Sequence, residues 1–490
     1  MTTPEFDLLI KNVRVVRPHG NVVHDSDIAI KDGQFALVAP GIDVDRAKKV
    51  HDGQHRLAFP GVVDAHMHSG IYSPLIEDAV SESKAAAMGG VTSSLNYFRT
   101  GQYYLNKGGP YKKFYPEVLK TSKGRFHVDY GFHLAPMDGT HIKEIPELIE
   151  KFGVSSFKIF MFYGSHGLHG ASNSQREFLM IGEDERYDYA HFEFIMRGVQ
   201  AAREQFPERA RQISLSLHCE TAEVMTAYTK LVEKDKSFQK PGMGLAAYSA
   251  SRPQHSEGLA VFIASYLAHE TALPNINLLH LSSRKAVQAA MMMADVFPHI
   301  DFKREVTIGH LMLDINSKAA ELAKVNPPIR PREDVEFLWD ALLAGELDWV
   351  VSDHACCRHE MKIPKHYFGN IWMAKSGFGG TEYLLPALVS EGTRRGMGYN
   401  HMARVTSWNP AQRYGLNRKG DIAAGFDADL ALVDPAKTWT IAAKDSPSTQ
   451  GYTPFEGLEL SARVEETFLR GHLICQGGAV IGKPRGQYLH

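Results

Sequence analysis

The chain has 490 residues, more than one globular core usually holds, which leaves room for a barrel of about 250 residues or more plus an accessory domain. Its 54 Lys and Arg nearly balance 56 Asp and Glu, for a formal charge of -2, so nothing electrostatic points to nucleic acid or anionic lipid as a partner. No apolar run reaches the roughly 18 to 20 residues that span hydrocarbon, and Met1 to Asp7 does not read as a secretory leader, so no membrane association and, by default, a cytoplasmic location are expected.

The chain opens on short strand-like runs, Leu8 to Val16, Val23 to Ile30 and Phe35 to Ala39, punctuated by Gly20 and Gly33, as in a small antiparallel domain. From Leu57 the pattern changes to strand, loop and helix in turn. Eight strands are expected: Ala58 to Ala65, Val91 to Tyr97, Phe126 to Leu134, Val154 to Phe162, Ile213 to His218, Ile276 to Leu281, Glu305 to His310 and Leu347 to Asp353. Helical periodicity separates them, over Glu82 to Met88, Tyr189 to Gln205, Glu257 to His269, Arg284 to Val296 and Asp334 to Leu343. Eight strands with helical crossovers favour an α/β fold of the (β/α)8 TIM barrel type over a doubly wound sheet. A Gly-rich segment, Gly377 to Gly380, and further helix run on to about Gly415. Strands then return at Ala428 to Val433, Val464 to Leu469 and Leu473 to Cys475, while Gly482 to His490 carries little periodic signal. The expected organisation is a barrel over 57–415, with a small β-rich accessory domain built from 1–56 and 416–490.

The sharpest local feature is Phe59-Pro-Gly-Val-Val-Asp-Ala-His-Met-His68. Residues two apart in a strand point the same way, so His66 and His68 can grip one cation together. Imidazoles at this spacing suit zinc or another divalent first-row metal better than calcium. Further apolar runs end in His218, His280 and Asp353, and the C-terminal ends of barrel strands converge on the ligand-binding face. Lys158 stands among bulky apolar residues in Phe157-Lys-Ile-Phe-Met-Phe-Tyr163, and a buried ammonium is costly without a charge partner or a chemical use. The four cysteines, Cys219, Cys356, Cys357 and Cys475, form no C-x-x-C pair. Cys356 and Cys357 are read as packing or pocket lining rather than nucleophiles.

Together these segments resemble the dihydropyrimidinase and hydantoinase branch of the amidohydrolase superfamily. The motifs PGVVDAHMH, SFKIFMFYG, LHCE, LHLSS, NPPIR and VSDH follow in order over Pro60 to His354, and GFGGTE, ADLALVD and GKPRGQYL extend the similarity towards the C-terminus. The resemblance implies two divalent metal ions, zinc by default with manganese as the alternative. His66 and His68 would hold one ion and His218 and His280 the other, with an N6-carboxylated Lys158 bridging them. It further implies that Asp353 binds metal and moves the proton, that Tyr163 donates to the developing oxyanion, and that the chain assembles as a homo-oligomer, a tetramer.

Two positions depart from the family pattern. Asn326 stands where Ser precedes Pro-Pro, and Ser376 stands where Asn precedes the later glycine. Both would bind substrate together with Tyr163, and their chemistry differs because an amide offers two donors and an acceptor, a hydroxyl one donor. The implied reaction is therefore the opening of a cyclic amide or imide whose ring differs from simple hydantoin or dihydrouracil. The aromatic stretch Tyr97 to Tyr115 would wall the pocket. Three other readings compete. A deaminase or phosphotriester hydrolase of the same superfamily would use the same ligands, and a noncatalytic relative would have lost them. A Ser-His-Asp hydrolase built on Ser282 or Ser352 lacks the G-x-S-x-G elbow.

Overall fold

The computed structural model describes residues 4–104, 106–164 and 175–490. Eight parallel strands follow one another around a barrel: β1 (Val62–Met67), β2 (Val91–Arg99), β3 (Asp129–Ala135), β4 (Ser156–Phe160), β5 (Ser214–His218), β6 (Asn275–Leu278), β7 (Asp301–Thr307) and β8 (Trp349–Val351). The ring is completed just past the last strand, where Met67 bridges His354 and the His68 amide donates to the His354 carbonyl at 2.8 Å. Helices including Leu75–Met88, Tyr189–Gln205, Gln254–Glu270, Arg284–Val296 and Arg332–Leu343 lie between the strands. Among the described residues no helix is long and apolar enough to cross a membrane.

Strand alternation explains the polar residues inside the barrel. In β5, Leu215 and Leu217 are interleaved with Ser214, Ser216 and His218, all buried. The parallel register sets Ser216 opposite Lys158 and His218 opposite Phe160, so Lys158 shares the face that carries the serines and the strand-end histidine. Tyr97 donates to Ser216 Oγ at 2.9 Å, and Asn277 Nδ2 reaches Ser214 Oγ and Ser216 Oγ at 3.2 and 3.1 Å. Those hydrogen bonds satisfy groups that burial would otherwise leave unpaired.

One expected strand is divided in two. Ala58 to Ala65 reads as continuous in sequence, but Leu57–Pro60 lies in the accessory sheet, between Leu8–Val15 and Leu430–Asp434, and the barrel begins at Val62. Gly61 makes the crossing. Its amide donates to the Asp429 carbonyl at 2.8 Å, and a Cβ there would fall 2.1 Å from Thr92 Oγ1. The accessory sheet thus joins strands from both chain ends, running from Ala479–Val480 through His472–Gln476, Arg463–Leu469 and Leu430–Asp434 to the N-terminal strands. The seventh expected strand also ends early. Thr307 caps a short helix, Ile308–Met312, by accepting from the His310 amide, so His310 is helical.

The two parts meet around Lys419. Its buried ammonium lies 2.8 Å from Asp129 of β3, 2.7 Å from Asp429 and 3.3 Å from Asp427. The C-terminal tail, featureless in sequence, also packs on β3. The Tyr130 amide donates to the Gln487 carbonyl, the Leu489 amide to the Tyr130 carbonyl, and Tyr488 hydrogen-bonds Tyr115.

Candidate metal centre and active site

The strand ends bring the six expected ligand side chains into one buried cluster. His66 Nε2, His68 Nε2 and Asp353 Oδ1 are each 3.2 Å from one another. Lys158 Nζ is 3.2 Å from His66 Nε2. The His280 ring lies 5.3 Å from that of His66 and 4.3 Å from that of His218. His280 and Asp353 both hold left-handed φ, 35° and 54°, a conformation that costs about 1–3 kcal/mol for a residue with a Cβ and that clusters at functional sites.

The donor set fits a divalent cation. Two donors about 2.1 Å from one tetrahedral ion stand roughly 3.4 Å apart, close to the 3.2 Å separations here. The Glu305 carboxylate is 2.7 Å from His66 Nδ1. Accepting the proton there, it leaves Nε2 of the neutral ring with its lone pair towards His68 and Asp353. Burial, followed by the neighbouring Lys158 ammonium, holds His66 well below the ordinary imidazole range, and burial does the same to His280. Both rings are therefore neutral at pH 7, the form in which an imidazole can donate to a cation. His280 Nδ1 is buried without a hydrogen-bond partner.

Burial also lowers the Lys158 ammonium, against the opposing pull of Asp353 and Glu305. Its nitrogen lies 4.1 Å from the centroid of the Tyr97 ring and 4.3 Å from that of Phe160. A lysine amine with a depressed pKa is a nucleophile near neutrality.

The expected substrate-binding residues line the same pocket, whose wall includes Tyr72, Tyr104, Phe162, Tyr163, Asn326 and Ser376. Tyr163 is buried, stacked 4.7 Å from Phe160, and accepts from Arg99 Nε at 3.2 Å. Asn326 Oδ1 accepts from Tyr248 at 2.5 Å, Ser376 Oγ lies 3.4 Å from the same phenol, and the Ser376 carbonyl accepts from Tyr72 at 2.5 Å. From the aromatic stretch 97–115, whose residue 105 lies outside the described residues, Tyr104 sets its hydroxyl 2.7 Å from His68 Nδ1.

Several motif residues turn out to be braces. Glu220 of LHCE lies 2.7 Å from His218 Nε2 and 3.4 Å from Arg252. Arg330 of NPPIR donates to Glu257 at 2.7 Å and Ser282 Oγ at 2.9 Å. Ser282 itself donates to Glu257 and Ser352 to Asp64, so neither serine is arranged as a nucleophile. Burial raises both the Cys356 and Cys357 thiols, the latter to about 11, which keeps them protonated. A second acidic group, Asp78, Glu82 and Cys356, is compact enough to consider for a metal. Both Glu82 oxygens, however, already accept hydrogen bonds from the residues around them, His354, Ser81 and Ser448 included.

Comparison with known proteins agrees with this geometry. Residues 263–474 match the family model described as the amidohydrolase family. An allantoinase of Rubrobacter xylanophilus is 30% identical over 490 residues, covering 99% of this chain and 97% of the relative. The chain belongs to the amidohydrolase family. Among solved structures, the L-hydantoinase (dihydropyrimidinase) of Arthrobacter aurescens superposes on this amidohydrolase with a TM-score of 0.83 at 24% identity, covering 99% of each chain. The D-hydantoinase (dihydropyrimidinase) of a Thermus species gives 0.80 at 26% identity, covering 98% of each. The amidohydrolase thus falls in the cyclic amidase branch expected from its motifs, with the barrel and β-rich accessory domain of that fold.

Sequence reasoning missed Glu305 and Tyr248, and took in Tyr104 and Arg99 only as unnamed members of the stretch Tyr97 to Tyr115. Glu305 follows Asp301, Lys303 and Arg304 in a charged strand, so unlike Lys158 it does not stand out from its neighbours.

Proposed function

We propose that this amidohydrolase hydrolyses a ring C–N bond of a cyclic amide or imide. The observation that carries the reading is the set of three donor atoms, from His66, His68 and Asp353, each 3.2 Å from the others at a spacing suited to a shared cation, with Lys158 Nζ 3.2 Å from His66 Nε2. His218 and His280 would hold a second cation, zinc by default and manganese as the alternative. The Lys158 amine would take up carbon dioxide, releasing a proton, to form an anionic carbamate able to serve both. Cations bound there would acidify a water and polarise the substrate carbonyl.

The protein's own groups would do the remainder. Asp353 takes a proton from the attacking water and returns it to the leaving ring nitrogen, so that the C–N bond breaks as the carboxylate forms. Tyr163 donates to the oxygen on which negative charge develops. Asn326 and Ser376, held by Tyr248 and Tyr72, face the amide edge of the ring. The aromatic wall of Tyr72, Tyr104 and Phe162 shields the bond from bulk water.

Support for a cyclic amide comes from the relatives named for allantoin and hydantoin, rings that contain a CO–NH unit. Asn326 and Ser376 support a ring other than hydantoin or dihydrouracil, since donors and acceptors are exchanged at the two positions. The test is a panel of hydantoin, dihydrouracil, allantoin and substituted or fused lactams and imides, with ring-opened product and ammonia measured separately. Ring opening of a substituted member, with the two simple rings turned over poorly, is expected. Ammonia release without ring opening would replace this reading by a deaminase. The reading includes a homotetramer located in the cytoplasm, and a monomer across a wide concentration range in light scattering would remove the tetramer from it.

A further inference from the structure

Arg99 ends β2 with its side chain wholly buried, and among the described residues no carboxylate pairs with it. Its Nε donates to the Tyr163 phenol at 3.2 Å and Nη1 to the Thr100 carbonyl at 2.7 Å, while Nη2 has no hydrogen-bond partner among the described residues. Three rings enclose the guanidinium, with centroids 5.1 Å away for Tyr163, 5.2 Å for Tyr104 and 4.9 Å for Phe178. A buried charge compensated mainly by ring faces is costly. Its place between two tyrosines of the pocket wall gives that cost a use.

We propose that Arg99 is a positioning residue that fixes the direction of the Tyr163 hydrogen bond and holds Tyr104 against His68. This rests on the reading of Tyr163 as the oxyanion donor. A phenol oxygen that accepts from a guanidinium must present its own hydrogen on another side, so Arg99 sets Tyr163 as a donor before substrate arrives. The fixed positive charge also strengthens that donor as negative charge grows on the substrate oxygen, an effect that a water-poor site enlarges. On its other contact, the guanidinium stacks on Tyr104, whose hydroxyl is 2.7 Å from His68 Nδ1. One planar group therefore orders a donor and the outer support of a proposed ligand. Lysine cannot reproduce this, because a point ammonium lacks the flat fork that donates in its plane while stacking on rings.

The test uses full-length, metal-loaded protein labelled with 13C at the tyrosine Cζ, with the Tyr163 and Tyr104 resonances assigned through Tyr163→Phe and Tyr104→Phe. Arg99→Gln, with Arg99→Lys in reserve should the first fail to fold, is expected to move both resonances. It should lower kcat on the best cyclic amide on the order of 10-fold, with KM within about threefold. In the Tyr163→Phe background the same change should cost less than in the parent, because only the contact with Tyr104 is then left to lose. Unmoved resonances, or an equal loss of rate in both backgrounds, would overturn the proposal. Should the parent open no cyclic amide, the function fails, yet the resonances still decide the role of Arg99.

Discussion

Glu305 of β7 stands 2.7 Å from His66 Nδ1 and, through the same oxygen, accepts the backbone N–H of His280 at 3.1 Å. Its second oxygen accepts from the Trp349 indole at 2.9 Å. A single carboxylate thus steadies His66 within β1, His280 just past β6 and Trp349 at the start of β8. Glu305→Gln keeps the size but places an NH2 where an acceptor is needed. Metal affinity, followed by chelator competition and metal analysis, should fall about 10- to 100-fold. Parent affinity in a folded variant would show that Glu305 does not orient the ligands.

Lys158→Ala removes the proposed bridge, and Asp353→Ala removes both a donor and the proton carrier. Turnover should vanish in both. Metal content should drop from the proposed two ions to one or fewer per chain in the first, because the carbamate that would serve both is lost. Labelled carbon dioxide should give a carbamate resonance in the parent that Lys158→Ala lacks. Near-parent activity in either folded, fully loaded variant would remove its assigned role.

Tyr163→Phe deletes a hydroxyl and leaves the stacking on Phe160. If that hydroxyl serves the transition state, kcat should fall by about 100- to 1,000-fold with little change in KM. A rise in KM at constant kcat would reassign Tyr163 to ground-state binding.

Lys419→Met leaves Asp129, Asp427 and Asp429 without their shared ammonium at the junction of barrel and accessory sheet. Breaking a buried pair of this kind costs about 3–5 kcal/mol, readable as a lower urea midpoint. Burial opposes the charge on Lys419, but the three carboxylates outweigh it and lift the ammonium above its ordinary 10.5. A raised pKa means that the contribution is complete below pH 10.5 and is lost only as pH climbs through the higher folded value. The stability gap between parent and variant should therefore be constant from pH 6 to pH 9. A gap that shrinks within that range would contradict the pairing.

The barrel and the polar residues at its strand ends were legible because strand and helix periods are local. Tyr189–Gln205 and Arg284–Val296 have the limits expected from sequence, and His218 does end its strand. The break at Gly61 had a local signal in the pair Pro60-Gly61, but its cause, the close approach of Thr92 on the next strand, is known only from the fold. The same holds for the outer ring of the site. Tyr104 meets His68 from 36 residues away, Tyr248 meets Asn326 from 78, and Glu305 meets His66 from 239. No local pattern encodes such meetings, whereas the spacing of His66 and His68 encodes its own.

The strand Leu57–Pro60 pairs on one side with Leu8–Val15 and on the other with Leu430–Asp434. At synthesis rates of about 5–20 residues per second, its second neighbour leaves the ribosome roughly 20–75 s after it does. For that interval the N-terminal strands stand with an open edge, a template for the wrong partner. In a living cell, then, this sheet is a matter of waiting: its first strands must be kept from other chains until Leu430–Asp434 has been made.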